Sequence, residues 1–178
     1  ELFMLDLLSN YQWDRPIHLL NMGGDLNMGI KDYLEYDGFS YKFVPIRNRQ
    51  RTSEVGFADP DKLYDMMTNV YKWDALSRPD YYADNQHLYT FCGVLSQRAL
   101  FVNVAKEMVK AGHPERAVEM LDKCQACVPE KNYPLDISYL GYSNELMVMD
   151  MINLYYVLGE KDKASDLATR FLDKMFQS

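Results

Sequence analysis

The 178-residue sequence predicts a mainly α protein, with a small α/β N-terminal subdomain followed by helical hairpins. Three observations carry this. Short apolar runs alternate with turn residues over roughly the first third of the chain. From Asp59 onward, apolar residues recur at helical spacing. Late in the chain, two amphipathic pairs each pivot on a glycine, Gly112 and Gly159, 47 residues apart. An Asp- and Pro-rich loop, "DALSRPDYYAD", places the division at residues 1–83 and 84–178.

Leu2 to Leu8 has helical spacing, and "IHLL" after Pro16 reads as a short strand. Asn27 is expected to cap a short helix over 28–37 that Gly38 ends. "FSYKFVPI" alternates Phe39, Tyr41 and Phe43, which reads as a second strand. Two strands joined through a helix predict a parallel β-α-β unit. Residues 47–58 are polar and without period, which reads as a solvated loop. Asp59 then caps and Pro60 opens a helix with Leu63, Met66, Met67 and Val70 on one stripe.

In "FVNVAKEMVKAGHPERAVEMLDKCQACVP", Phe101, Val104, Ala105 and Met108 line one face. Ala117, Leu121 and Cys124 line the next. "VMDMINLYYVLGEKDKASDLATRFLDKM" repeats the pattern, with Val148, Met151, Ile152 and Tyr155 before Gly159 and Ala164, Ala168 and Phe171 after it. Small residues let paired helices approach while large ones fill around them. This spacing resembles the tetratricopeptide repeat, a helix–turn–helix of about 34 residues. The two units cover about 98–129 and 145–176, and "EKNYPLDISYLGY" is the excess between them. In such repeats the first helix of each unit lines a concave surface, here Val102, Lys106, Val109, Leu146, Met149, Asn153 and Tyr156. Five of these seven are apolar or aromatic. They are either covered by the rest of the chain or form a groove for a protein partner.

The formal charge of −7 argues against nucleic acid as a partner, since phosphate backbones call for a basic face. No apolar stretch reaches the roughly 18–20 residues that cross a bilayer. Cys124 and Cys127 form a CxxC at a helix end, not at the helix N-terminus that activates a thiol, and no second ligand pair completes a zinc site. Cys92 leaves the cysteine count odd. His18, His87 and His113 are scattered, and no GxSxG or Walker A motif occurs. "GGDLNMGIK" superficially resembles a phosphate loop, yet Lys31 stands two residues past Gly29 and Asp32 would repel phosphate. The stretch reads as a turn in which Gly23 and Gly24 supply backbone freedom.

"ELFMLDLLSNYQWDRPIHL", "GIKDYLEYDGFSYKFVPI" and "DKLYDMMTNVYKWD", with the repeat half, cover essentially the whole chain. Together they resemble the C-terminal soluble region of Bacteroidetes-type multi-pass membrane proteins related to protein O-mannosyltransferases. The W-x-R-P-I entry, the Y-L-x-Y-x-G-x-x-Y-x-x-V-P-I block and the K-x-Y-D…K-W helix are the most specific pieces. The resemblance implies that Glu1 follows a membrane-embedded half holding the catalytic residues. The chain itself would then carry no catalytic residue, cofactor or metal. It implies an extracytoplasmic, periplasmic supporting domain that packs on its own membrane domain or presents acceptor polypeptide. A second reading is a sugar-phosphate-binding enzyme domain using the glycine turn and Arg47, Arg49 and Arg51. A third is a free-standing repeat adaptor.

Overall fold

The computed structural model describes residues 2–20, 29–48, 57–82, 94–136, 138–139 and 142–177. The chain forms two compact units, Glu1–Met66 and Met67–Ser178, a division earlier than the composition shift at residue 83.

The first unit opens with α1 (Leu2–Ser9), whose C-terminal turn is closed by Ser9 Oγ and Asn10 Nδ2, both donating to the Asp6 carbonyl at 2.9 Å. Its sheet runs in the order β1 (His18–Leu19), β3 (Tyr41–Phe43), β2 (Leu34–Tyr36), β4 (Phe57–Ala58). β3 is antiparallel to both β1 and β2, and β2 is parallel to β4. The parallel pairing expected of "IHLL" and "FSYKFVPI" is therefore corrected. The helix expected over 28–37 is instead a single 3-10 turn (Ile30–Tyr33) running straight into β2. That extra strand reverses the chain once more, so β3 returns antiparallel beside β1. Leu34 is fully buried, and Tyr36 lies opposite Tyr41 with ring centroids 5.2 Å apart. These aromatic and aliphatic cross-strand pairs outweigh the helical spacing of the same residues.

The β2–β3 turn is Asp37-Gly38-Phe39-Ser40. The Asp37 amide donates to the Ser40 carbonyl at 3.0 Å, and Gly38 takes φ 103°, a conformation open to glycine at no steric cost. α2 (Pro60–Asp65) begins as expected: Asp59 Oδ1 accepts from the amides of Asp61 and Lys62, both at 3.1 Å. The helix then widens into a π-helical turn over Met66–Val70.

The second unit is built from two helical hairpins. α3 (Val94–Lys110) and α4 (Pro114–Cys127) form the first, and α5 (Asn144–Val157) and α6 (Lys161–Gln177) the second. Each turn has the same construction. Gly112 and Gly159 lie at φ 81° and 88°. The following amides, His113 and Glu160, each donate back to the carbonyl five residues earlier, Met108 and Tyr155, at 2.9 Å. α5 packs over both helices of the first hairpin. The expected stripe residues Phe101, Val104, Ala105, Met108, Ala117, Leu121 and Cys124 are all fully buried, as are Val148 and Tyr155. The excess between the hairpins also enters the core through Tyr133 and Leu135. It leads into a two-stranded ribbon, β5 (Ser138–Tyr139) with β6 (Tyr142–Ser143).

Candidate functional site

An open concave feature lies on the second hairpin. It is an apolar groove of about 790 Å³ between α5 and α6. Met149, Ile152, Asn153 and Tyr156 line it from α5, and Ala164, Ala168, Phe171 and Leu172 from α6, with Lys161 and Ser165 on its wall. Ala164 and Ala168 leave the hollow, and the long side chains around it remain uncovered: Met149 is 55% exposed, Tyr156 61% and Leu172 51%. Beyond the groove Leu146, Val157, Met175 and Phe176 extend the exposed apolar surface of the same hairpin. Lys161 Nζ stands 5.9 Å from the Tyr156 ring centroid, a cation on the aromatic face at the rim.

The seven residues expected to line one concave surface do not share one open face. Val102 is fully buried. Lys106 is tied by its Nζ to Asp150 Oδ2 at 2.7 Å, and Val109 is half-buried. Leu146, Met149, Asn153 and Tyr156 are exposed, and the last three join the groove. The reason is that α5 lies over α3 and α4, closing the first hairpin's share of that face. The repeat frame assigns a concave surface to the first helix of each pair alone, so it omits the α6 wall of Ala164, Ala168, Phe171 and Leu172. The spacing of those four residues could have found it.

A second, smaller cavity of about 220 Å³ has a mixed polar and apolar lining and lies where α3, α4, α5, α6 and the segment between the hairpins meet. Arg98 is buried there, with Nη1 donating to Asn144 Oδ1 at 2.5 Å and Nη2 to the Tyr133 carbonyl at 3.0 Å. Asn144 Nδ2 returns a bond to the Leu135 carbonyl at 2.7 Å. Arg170 pairs with Glu130 and donates to Gln125 Oε1 at 2.7 Å. Burial holds the Arg98 guanidinium below its ordinary value. Its neutral partners match the arginine's planar donors to backbone and amide oxygens, so the cluster fastens the inter-hairpin segment to the helices.

Cys124 sits against this cavity, and burial pushes its thiol up to about 12, partly offset by the Arg98 guanidinium. Burial also raises Cys127. A redox-active CxxC needs a lowered thiol, so both shifts favour packing over chemistry. Cys92 and His87 fall outside the described residues.

In the first unit the structure brings together three residues that no sequence motif connects: His18, Asp37 and Ser40. Ser40 Oγ donates to Asp37 Oδ2 at 2.8 Å and lies 2.7 Å from His18 Nδ1, which is itself 3.3 Å from Asp37 Oδ2. A nucleophilic triad needs the carboxylate on one imidazole nitrogen and the hydroxyl on the other. Here one nitrogen meets both, and the serine proton goes to the carboxylate. The trio clasps the β2–β3 turn to β1.

Arg47 is engaged by Asp32, with Nε at 3.0 Å and Nη2 at 2.9 Å from one carboxylate oxygen. Gly23, Gly24, Asn27, Arg49 and Arg51 lie outside the described residues. Among the described residues no helix is long and apolar enough to cross a membrane, and no three His, Cys, Asp or Glu side chains gather as a metal site.

Residues 1–62, about a third of the chain, match the family model described as TMEM260-associated domain 2. This links the first unit to TMEM260-type proteins, the O-mannosyltransferase-related relationship that its motifs suggest. No curated protein and no solved structure matches the chain.

Proposed function

We propose that this chain is a non-catalytic accessory domain of a membrane glycosyltransferase-related protein, working on the extracytoplasmic, periplasmic side. Its role is to hold polypeptide, either its own membrane-embedded partner region or an acceptor chain. The two hairpins act as tetratricopeptide-like units, and the second provides the docking face. The observation that carries this reading is the apolar α5–α6 groove, whose Met149, Tyr156 and Leu172 are each more than half exposed. Apolar surface of that kind is stabilised by being covered. The link of residues 1–62 to a TMEM260-associated domain supports the membrane-protein context.

A photo-crosslinking amino acid placed at Met149 or Leu172 in membrane-containing cells tests the role. The expected result is a crosslink to a polypeptide of the membrane fraction that an Asp at the other position abolishes. Crosslinking to lipid alone, or to nothing, overturns it.

A further inference from the structure

The two hairpins of the second unit share a sequence register of 47 residues, and that register relates a covered surface to an open one. Val102 corresponds to Met149, Ala105 to Ile152, Leu121 to Ala168 and Cys124 to Phe171. On the first hairpin these four positions are fully buried, and α5 packs on both helices of that hairpin, with the 3-10 turn Asp74–Ser77 also against α4. On the second hairpin all four counterparts line the groove.

We propose that the α5–α6 groove seats an amphipathic α-helix from a partner polypeptide, lying there as α5 lies on α3 and α4. The proposal rests on the groove being a docking face and names what docks. The groove continues an interface the protein already uses once, and the glycine turns that set each hairpin's geometry are alike.

The register also specifies the helix. α5 turns Val148, Met151 and Tyr155 inward, at i, i+3 and i+7, so the incoming helix carries an apolar stripe of that spacing. Its polar anchors differ from those of α5. Asp150 meets Lys106 on the first hairpin, whereas the counterpart of Lys106 is Asn153, so no acid is called for there. The Tyr155 hydroxyl donates to Asp122 and accepts from Gln125, whose counterparts are Thr169 and Leu172. The place of the tyrosine is therefore taken by an aliphatic side chain. Lys161 at the rim favours an acidic flank on the partner, and Met149 adapts to a range of apolar contours.

The test is fluorescence anisotropy with the full 178-residue chain and a labelled, stapled peptide of the α5 sequence, Asn144–Val157, carrying Asp150→Asn and Tyr155→Leu. Saturable binding is expected, weakened about tenfold or more by Met149→Asp or by Leu172→Asp in the chain, with the melting temperature of each variant unchanged. An unstapled peptide with Met151→Pro, which cannot form the helix, is expected not to bind. Equal, Met149-dependent binding of the proline peptide would leave the docking face standing and overturn the helix. Self-association of the chain that Met149→Asp abolishes would make the occupant a second copy and likewise overturn it. No saturable signal up to about 1 mM, or binding indifferent to both Asp substitutions, removes the helical occupant outright, while the crosslinking result still decides the docking role.

Discussion

The two hairpins of the second unit have the same turn and the same apolar spacing, yet one is sealed and the other lies open. The difference arises from the path of the chain beyond the first hairpin. After α4, residues 129–136 enter the core through Tyr133 and Leu135, ahead of α5, which packs on the first hairpin. Residues of the first hairpin then act as fasteners: Lys106 to Asp150, Gln125 and Asp122 to the Tyr155 hydroxyl, Arg98 to Asn144. Their counterparts in the second hairpin are Asn153, Leu172, Thr169 and Glu145, side chains of a different kind at each matched position. A shared backbone frame thus supports two surfaces of opposite kind, and side chains at matched positions decide which is core.

The largest expected effect comes from placing the same charge at one matched pair. Val102→Asp would bury an unpaired carboxylate and should cost about 3–5 kcal/mol or prevent folding. Met149→Asp, on a side chain 55% exposed, should stay within about 0.5 kcal/mol of the parent in chemical denaturation. Equal losses at the two positions would mean that the groove is core in solution and that the contrast between the hairpins is false.

Raising the pH should attack the sealed surface selectively. Burial raises the Cys124 thiol from an ordinary 9.0 to about 12, so folding favours the neutral thiol. Its contribution is complete below pH 9 and declines as pH climbs from there toward 12, by about 1.4 kcal/mol per pH unit at most. Burial, then the hydrogen bond to Asp122, raises Tyr155 as well, so its contribution fades above the ordinary phenol value of 10.0. The position matched to Cys124 in the open hairpin is Phe171, which does not titrate. Cys124→Ala should flatten the alkaline decline between pH 9 and 11 in urea melts, and an unaltered slope would place the titration elsewhere.

Neighbouring tyrosines on α5 sharpen the contrast at smaller scale. Tyr155 faces the first hairpin, fully buried, and its hydroxyl lies 2.8 Å from Asp122 Oδ1 and 2.9 Å from Gln125 Nε2. Tyr156 lines the groove. Tyr155→Phe should cost about 1–2 kcal/mol, since it leaves Gln125 short of an acceptor while Asp122 keeps Lys163. Tyr156→Phe should change nothing measurable in the free protein. A cost at Tyr156 equal to that at Tyr155 would show that both tyrosines face packed surfaces.

The hairpins were legible in the sequence because every level agreed. Glycine stood where a left-handed residue was needed, and Phe101, Val104, Ala105 and Met108 had one period and one fate. The first unit was harder because its signals conflicted. "IKDYLEY" carries Ile30, Tyr33 and Leu34 at helical spacing and Leu34 and Tyr36 in alternation, and only pairing with β3 resolves the choice. Asp37-Gly38 between two aromatic runs was a hairpin signal, and reading Gly38 as a helix stop concealed it. The groove was half legible: Met149, Asn153 and Tyr156 followed from the repeat frame. The closure of Val102 did not, because the path of residues 129–136 leaves no periodic trace.

The smallest effect tests the frame itself. Gly112 and Gly159 lie at φ 81° and 88°, and a Cβ added at either meets nothing within 4 Å. The cost of Gly112→Ala or Gly159→Ala is then left-handed backbone strain alone, about 1 kcal/mol each, or about 2–4 °C in melting temperature for a chain of this size. Because packing does not enter, the two costs should be equal although one turn belongs to the sealed hairpin and the other to the open one. D-alanine, introduced by semisynthesis, adopts positive φ without strain and should restore or slightly exceed parental stability at both sites, since it also restricts the unfolded chain. Unequal costs for the L-alanine pair would show that the turns differ, and with them the matching of Val102 to Met149 on which the contrast stands.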